Sequence, residues 1–440
     1  MLLLGCNLMD NNKKITTKAK VLLGFLLLLN VFNMLDRTLI TAFAPQIMSD
    51  LSISDTQYGL LNGLVFVFFY VISGLFMGVL ADRLHRPRLI AAGLFLWSAL
   101  TAYSGAAKNF AQIAVARLFI GVGESTMTPT SMSMISDLFP QRFRGTAAGL
   151  YYLGVPVGAS LAFILAGVFG PTYGWRMCFY ALGFLGLLLS LTLLFVKDPQ
   201  RGGMDDSDHA LDLPSSAGDK RPWRQVLSDV TSLLKSSPVL LWTLVGSILL
   251  HVPIGAATFA LPWMVSERGF ELSEIQQLYG YLYLLFGTLG TLLGGILSDW
   301  YQSRYSGGRL RFLAIVMILI APLTIAYRFA PVDSWIFLVG FSVVFFSTSA
   351  FYGPAFSTFQ DLTPPQLRGV MTAVLLLACN LFGASLGAGL GGVLIDAMRD
   401  GLIVNPYTTA LFVFDIIGFL AAPSMLVASI FFERQKKAIS

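Results

Sequence analysis

The chain has 440 residues, 55% of them apolar and only 12% charged, with a net charge of +5. An average soluble domain carries about 25% charged residues, so this composition excludes an ordinary soluble globular protein. The three cysteines (Cys6, Cys178, Cys379) and three histidines (His85, His209, His251) share no disulfide or metal-ligand spacing, so neither a disulfide framework nor a metal site is expected.

Apolar runs of about 20 residues are long enough to cross a hydrocarbon core of about 30 Å, and twelve follow one another. The first six lie near 20–43, 58–80, 89–106, 110–137, 145–169 and 176–196. The second six lie near 238–264, 277–297, 311–330, 335–358, 369–395 and 408–431. Between the sets, residues 197–237 are polar and rich in Pro, Gly and Ser, which reads as a linker. Its later part, "WRQVLSDVTSLL", has the pattern of a helix lying on a membrane surface. The expected architecture is therefore an all-α polytopic membrane protein of twelve transmembrane helices. Residues 1–196 form one six-helix bundle, 197–237 a linker, and 238–440 a second bundle.

Basic residues orient these spans. The termini, the even-numbered loops and the linker hold 22 of the 29 lysines and arginines. The positive-inside rule then places both termini and the linker in the cytoplasm, in an inner (plasma) membrane. The net positive charge is thus a loop property, and no nucleic-acid partner is implied.

The chain also repeats itself. "GVLADRLHRPR" after span 2 has a counterpart in "GILSDWYQSR" after span 8. "SDLFPQRFRGTAAG" after span 4 matches "QDLTPPQLRGVMTA" after span 10. Asp82 pairs with Asp299 at an offset of 217, and Asp137 and Arg144 pair with Asp361 and Arg368 at 224. Two parallel six-helix halves with a binding site between them at mid-membrane is a transporter architecture.

"GVLADRLHRPR" resembles the loop 2–3 signature of the major facilitator superfamily, and "RLFIGVGEST" its helix 4 signature. Within that superfamily, "NMLDR" in span 1, "GVGES" in span 4 and "GWR" opening span 6 resemble the Spinster family. That resemblance implies proton-linked movement of lysophospholipids or sphingolipids. A second family, the organic-anion:proton symporters for sugar acids, shares the Asp-Arg pair in span 1 and the Glu in span 4. One departure is His85, which stands where the signature has glycine. A left-handed backbone is expected there, which histidine tolerates better than most residues.

Charges inside a membrane cost at least roughly 2.5–3.5 kcal/mol each at a helix centre and mark function by default. Here they are Asp36, Arg37, Arg117, Glu124 and Asp415. Asn30, Asn33 and Arg37 share one helix face, as do Arg117, Gly121 and Glu124. Because spans 1 and 4 line the central cavity in the resembled fold, Asp36 and Glu124 are the candidate proton carriers. Arg37 is the candidate anion contact, and Arg117 shapes the cluster. A fixed, self-paired network is the competing reading. Asp415 falls in a span that is peripheral in that fold. Asn33, His251 and Asn380 are candidate polar groups of the cavity.

Asp82, Arg83, Arg86, Asp137 and Arg144, with Asp299, Arg304, Asp361 and Arg368 in the second half, are the candidate cytoplasmic gate. Glycines spaced i, i+4 (Gly74 and Gly78, Gly145 and Gly149, Gly154 and Gly158, Gly290 and Gly294, Gly383, Gly387 and Gly391) permit close helix approach. Walker A, zinc-protease and nucleophile-elbow motifs are absent, so no enzyme and no cofactor is expected. The expected function is secondary active transport by alternating access, driven by a proton gradient. The substrate is expected to be a small amphipathic lipid, with small organic anions such as sugar acids as the alternative. The protein is expected to work as a monomer in the bilayer.

Overall fold

The computed structural model describes residues 15–202, 204, 223–364 and 367–439, and all regular elements among them are helical. In the first half, α1 is Thr17–Ala42, α2 joins Asp55–Asn62 to Leu64–Arg83, and α3 is Arg86–Gly105. Next, α4 joins Phe110–Glu124 to Met127–Leu138, and α5 begins as Gln141–Tyr152. The stretch Gly154–Leu193 completes α5 and continues as α6. The two are divided at Gly174, whose φ of 72° only glycine adopts cheaply.

In the second half, α7 runs from Pro238–Ala256 through a tight turn into Ala260–Ser266, and α8 combines Leu272–Leu282 with Thr288–Arg304. α9 is Gly308–Phe329, and α10 joins Trp335–Ala350 to Tyr352–Asp361. α11 combines Arg368–Leu377 with Ser385–Asp400, and α12 joins Pro406–Phe419 to Ala421–Ile439. Both α8 and α11 widen in mid-course, at Tyr283–Gly287 and Ala378–Ala384. Such π-bulges often lie at functional sites.

Local chemistry sets the helix starts. Thr16 caps α1 by accepting from the Ala19 N–H at 3.1 Å. Ser54 and Gln57 form a reciprocal capping box at the start of α2. Asn109 caps α4 through the Gln112 N–H at 3.0 Å. His85, at φ −70°, takes an ordinary extended conformation. The turn before α3 therefore needs no left-handed residue, because Pro87 in the first turn already fixes the helix entry.

The linker helix Trp223–Ser236 places Val230 in an apolar cluster with Leu240, Phe359, Met371 and Leu375. Its apolar face is thus seated on the second half as well as being patterned for a surface. The remainder of the expected linker, apart from residue 204 and the stretch up to 202, lies outside the described residues.

The two halves meet through α2 against α11 and α5 against α8. Gly59 packs directly on the Ala388 carbonyl, and Gly392 on the Asp55 carbonyl. Both contacts lie at the end opposite the basic loops. Gly154 and Gly158 seat α5 on α1, Gly290 and Gly294 seat α8 on α10, and Gly383 and Gly387 seat α11 on α7. Gly145 and Gly149 of α5 and Gly78 of α2 have no neighbour within 4 Å of an added side-chain carbon, and Gly74 meets only Ser125 at 4.0 Å. These last four glycines lie toward the basic end. The close approach expected of them is not made among the described residues.

A leucine at Gly59 has no room beside α11. Gly59→Leu is expected to part the halves at the end that is now sealed. A cysteine at Ala388, which is 2% exposed, should then react severalfold faster with a membrane-impermeant maleimide than the same cysteine in the Gly59 background.

Candidate functional site: a chamber between two buried arginines

Four charges from α1 and α4 cluster in the first half. Arg37 donates through Nε to Glu124 Oε2 at 2.7 Å, and its Nη2 lies 2.7 Å from the same oxygen. The guanidinium lies 4.9 Å from the Phe66 ring centre and 4.4 Å from that of Tyr70. This cation–π packing adds attraction in a desolvated setting. Arg117 also sits over Phe66, at 4.7 Å, and donates through Nη2 to the Arg37 carbonyl at 3.3 Å. Its Nε has no partner among the described residues, nor has Glu124 Oε1.

Asp36 is placed differently from its neighbour. It is buried at 4% exposure and turned toward α3, where Thr101 donates to its Oδ2 at 2.8 Å. Consecutive helix residues are rotated by about 100°, so Arg37 reaches the chamber and Asp36 does not. Asn33 is buried with its Nδ2 unpartnered, and Asn30 donates to the Tyr151 carbonyl at 2.8 Å, tying α1 to α5.

Arg37 and Arg117 line one end of a chamber of about 400 Å³ that extends into the second half. Val67, Phe163, Leu250, Ile254, Val344 and Phe345 are among its walls. Asn380, in the widened part of α11, also lines it, donating to the Leu376 carbonyl at 2.8 Å. His251 is buried behind this wall. Its Nδ1 lies 2.7 Å from the Ser247 carbonyl, which can only accept, so Nδ1 carries a proton; Nε2 lies 3.2 Å from the Tyr352 hydroxyl.

A second ion pair lines the same chamber and was not expected. Arg328 donates through Nε and Nη2 to the two Asp415 oxygens at 2.8 and 3.3 Å. Trp263 and Tyr327 flank the guanidinium at 4.8 and 4.7 Å. Hydropathy places Arg328 at a span end, where loop and helix look alike. Only the fold shows it buried in the last turn of α9.

At the basic end, each half is laced within itself. Arg86, fully buried, donates to Asp137, to Asp198 at 2.7 Å and to the Pro199 carbonyl at 2.6 Å. In the second half Arg309 joins Asp299 and Asp361, both at 2.6 Å. The bridging residue is thus Arg309, not Arg304 or Arg368. Arg304 packs over Trp300 at 4.8 Å, and Arg368 donates to the Gln360 and Thr363 carbonyls at 3.1 and 3.2 Å. Arg144 Nε donates to the Phe139 carbonyl at 3.1 Å, closing the α4–α5 turn. Arg83 is exposed, and the Asp82 side chain lies outside the described residues. Arg309 opens α9 as Arg86 opens α3, at an offset of 223 that lies within one residue of the 224 of the second repeated motif. Asp198 sits at the start of the linker without a repeat signal.

At the opposite end the halves are joined. Asp396 of α11 accepts from the backbone N–H groups of Asp55 and Thr56 at 3.3 and 2.8 Å, capping α2 across the interface. Arg399 pairs with Asp55 at 2.7 Å, and the Tyr407 hydroxyl donates to Asp55 at 2.6 Å. Gln276 of α8 donates to the Ala42 carbonyl at 2.7 Å. The chamber is therefore closed on this side.

The family model described as Major Facilitator Superfamily matches residues 26–388. An MFS-type efflux pump of Mycolicibacterium smegmatis is 25% identical over 385 residues, covering 88% of this chain and 86% of the relative. Protein spinster of Drosophila melanogaster is 28% identical over 302 residues, 67% of this chain and 48% of that longer protein. The hexuronate transporter of Bacillus subtilis is 26% identical over 380 residues, 84% of this chain and 87% of the relative. Among solved structures, a bacterial homolog to the human lysosomal transporter Spinster, in an inward-facing and unoccupied conformation, superposes with a TM-score of 0.81. It shares 24% identity and covers 95% of this chain and 98% of its own.

Removing one member of a buried ion pair strands the other charge and costs about 3–5 kcal/mol, whereas replacing both by apolar residues is nearly neutral. Glu124→Gln is expected to lower the Tm in detergent by several degrees. Arg37→Met with Glu124→Leu should recover most of that loss while abolishing ligand binding.

Proposed function

We propose that this chain, a transporter that belongs to the Major Facilitator Superfamily, is a Spinster-type carrier that moves an anionic or zwitterionic amphipathic lipid together with a proton. The observation that carries this reading is the asymmetry of the chamber. Arg37 and Arg117 gather at one end, and the wall beyond them is chiefly aliphatic and aromatic. A polar headgroup fits the arginines and an acyl chain fits the rest. The similarity to the hexuronate transporter supports the alternative of a sugar acid. Such a polyhydroxylated substrate would leave its hydroxyl groups facing Phe163, Leu250 and Phe345 without partners, each at a cost of about 1–3 kcal/mol.

Charge balance supplies the coupling. Arg37 and Arg117 carry two positive charges, and Glu124 and Asp36 offer two negative ones. With Asp36 ionised the cluster is neutral and has little demand for an anion. With Asp36 protonated it is left with one excess positive charge, beside the guanidiniums that face the chamber. Proton and anion therefore bind together, and affinity for the anion rises as pH falls. Asp36 acts from behind the arginines, while Glu124 holds Arg37 in place.

Arg86 with Asp137 and Asp198, and Arg309 with Asp299 and Asp361, brace the cytoplasmic end of each half. The seal between Asp396, Arg399 and Asp55 closes the outer end. This is the inward-open half of an alternating-access cycle. Both termini lie in the cytoplasm, the membrane is the inner (plasma) membrane, and the carrier works as a monomer.

In proteoliposomes with an imposed proton gradient, the protein is expected to take up a lysophospholipid and not a hexuronate. Uptake of hexuronate alone would overturn the lipid reading. Asp36→Asn should bind the lysophospholipid with an affinity that no longer changes between acidic and alkaline buffer, and should lose gradient-driven accumulation. A wild-type pH dependence in that variant would remove Asp36 from the coupling.

A further inference from the structure

The chamber has a second polar pole. Its wall follows α9 from Phe312 to Arg328, about 24 Å at 1.5 Å per residue. The rest of the lining is chiefly aliphatic and aromatic, with Thr258, Ser347 and Thr348 among its few polar side chains. Asp415 and Arg328 stand at the far end, in the second half, on helices not related by the repeat to those that carry Arg37 and Glu124.

The two poles are built alike. In each, a guanidinium is held by one carboxylate and flanked by two aromatic rings, Phe66 and Tyr70 around Arg37, Trp263 and Tyr327 around the buried Arg328. This fixes the guanidinium plane before any ligand arrives. At Arg328, Nε and Nη2 are taken up by Asp415, and Nη1 is buried with no partner among the described residues. A pair that served only to tie α9 to α12 would have no use for this third, desolvated donor. Leaving such a group unpaired costs about 1–3 kcal/mol or more.

The charge count separates the two poles. Arg117 adds a second cation at the Arg37 end. At the far end Asp415 cancels Arg328, so the pair is neutral and offers a hydrogen-bond donor without a net positive field. A second anion is not favoured there; an uncharged acceptor is.

We infer that Arg328 and Asp415 form a second subsite that receives an uncharged hydroxyl or carbonyl group carried on the apolar chain of the ligand, remote from its anionic headgroup. The preferred cargo is thus an oxygenated amphiphile rather than a plain alkyl one. This rests on the lipid reading above and sharpens it.

The test compares hexadecyl phosphate with 16-hydroxyhexadecyl phosphate, titrated against the full-length protein in nanodiscs. In a purely apolar chamber the terminal hydroxyl weakens binding. With the subsite, the hydroxylated probe is expected to bind on the order of tenfold more tightly, the usual worth of a hydrogen bond to a charged donor. Arg328→Leu with Asp415→Leu should abolish that preference while retaining hexadecyl phosphate, which also reports that the variant is folded. If that variant does not hold the plain probe, Arg328→Lys takes its place, since lysine keeps the charge pair but lacks the planar fork. Equal binding of the two probes to the wild type, or a preference that survives in the variant, overturns the subsite alone. Binding of neither probe overturns the lipid reading and the subsite with it.

Discussion

The cost of a charge in a medium that cannot solvate it governs this molecule. Two guanidiniums placed within it are each matched to a carboxylate and packed against rings: Arg37 to Glu124 over Phe66 and Tyr70, Arg328 to Asp415 between Trp263 and Tyr327. Because an unpaired member would be so costly, these pairs dictate which helices are neighbours. They hold α1 against α4 and α9 against α12 where apolar packing alone is indifferent, since lipid tails are as apolar as leucine. Arg117 Nε, Glu124 Oε1 and Arg328 Nη1 are among the buried polar atoms left without a hydrogen-bond partner among the described residues.

The two ends of the molecule spend their polar groups in opposite ways. At the basic end Arg86 binds Asp137 and the linker's Asp198, and Arg309 binds Asp299 and Asp361, so these ion pairs brace each half within itself. At the opposite end Asp396, Arg399, Tyr407 and Gln276 all reach across the interface. One end ties each half to itself, the other ties the halves to each other. The unoccupied approach surfaces at Gly78, Gly145 and Gly149 fall on the side where the grip is absent.

Much of this was legible in the sequence, and what was not has particular causes. Twelve spans and their duplication follow from hydropathy and from the repeated Asp and Arg motifs. That charges of spans 1 and 4 meet was expected from Asp36, Arg37, Arg117 and Glu124, but which of them pair was not. The adjacency of Asp36 and Arg37 misleads, because one step along a helix turns a side chain by about 100° and sends the acid to Thr101. Arg328 was hidden by its place at a span end, where hydropathy cannot tell a buried last turn from a loop. Arg309 lies one residue off the repeat offset of 224 and was missed for it, whereas Arg304, nearer in motif, packs over Trp300. Asp198 joins Arg86 through tertiary folding of the linker's first residues, which no periodicity reports.

The cap that Asp396 places on α2 rests on the backbone N–H groups of Asp55 and Thr56, and the Ser54 and Thr56 side chains add hydrogen bonds to the same carboxylate. Every residue except proline supplies such a donor, and the positive end of the helix favours a carboxylate whatever the sequence around it. The backbone share of this contact is therefore insensitive to mutation in α2. A substitution at Thr56 removes its hydroxyl bond but leaves the N–H donor, whereas loss of Asp396 removes both. The cap thereby depends on the single acid in α11 more than on the side chain it meets at position 56.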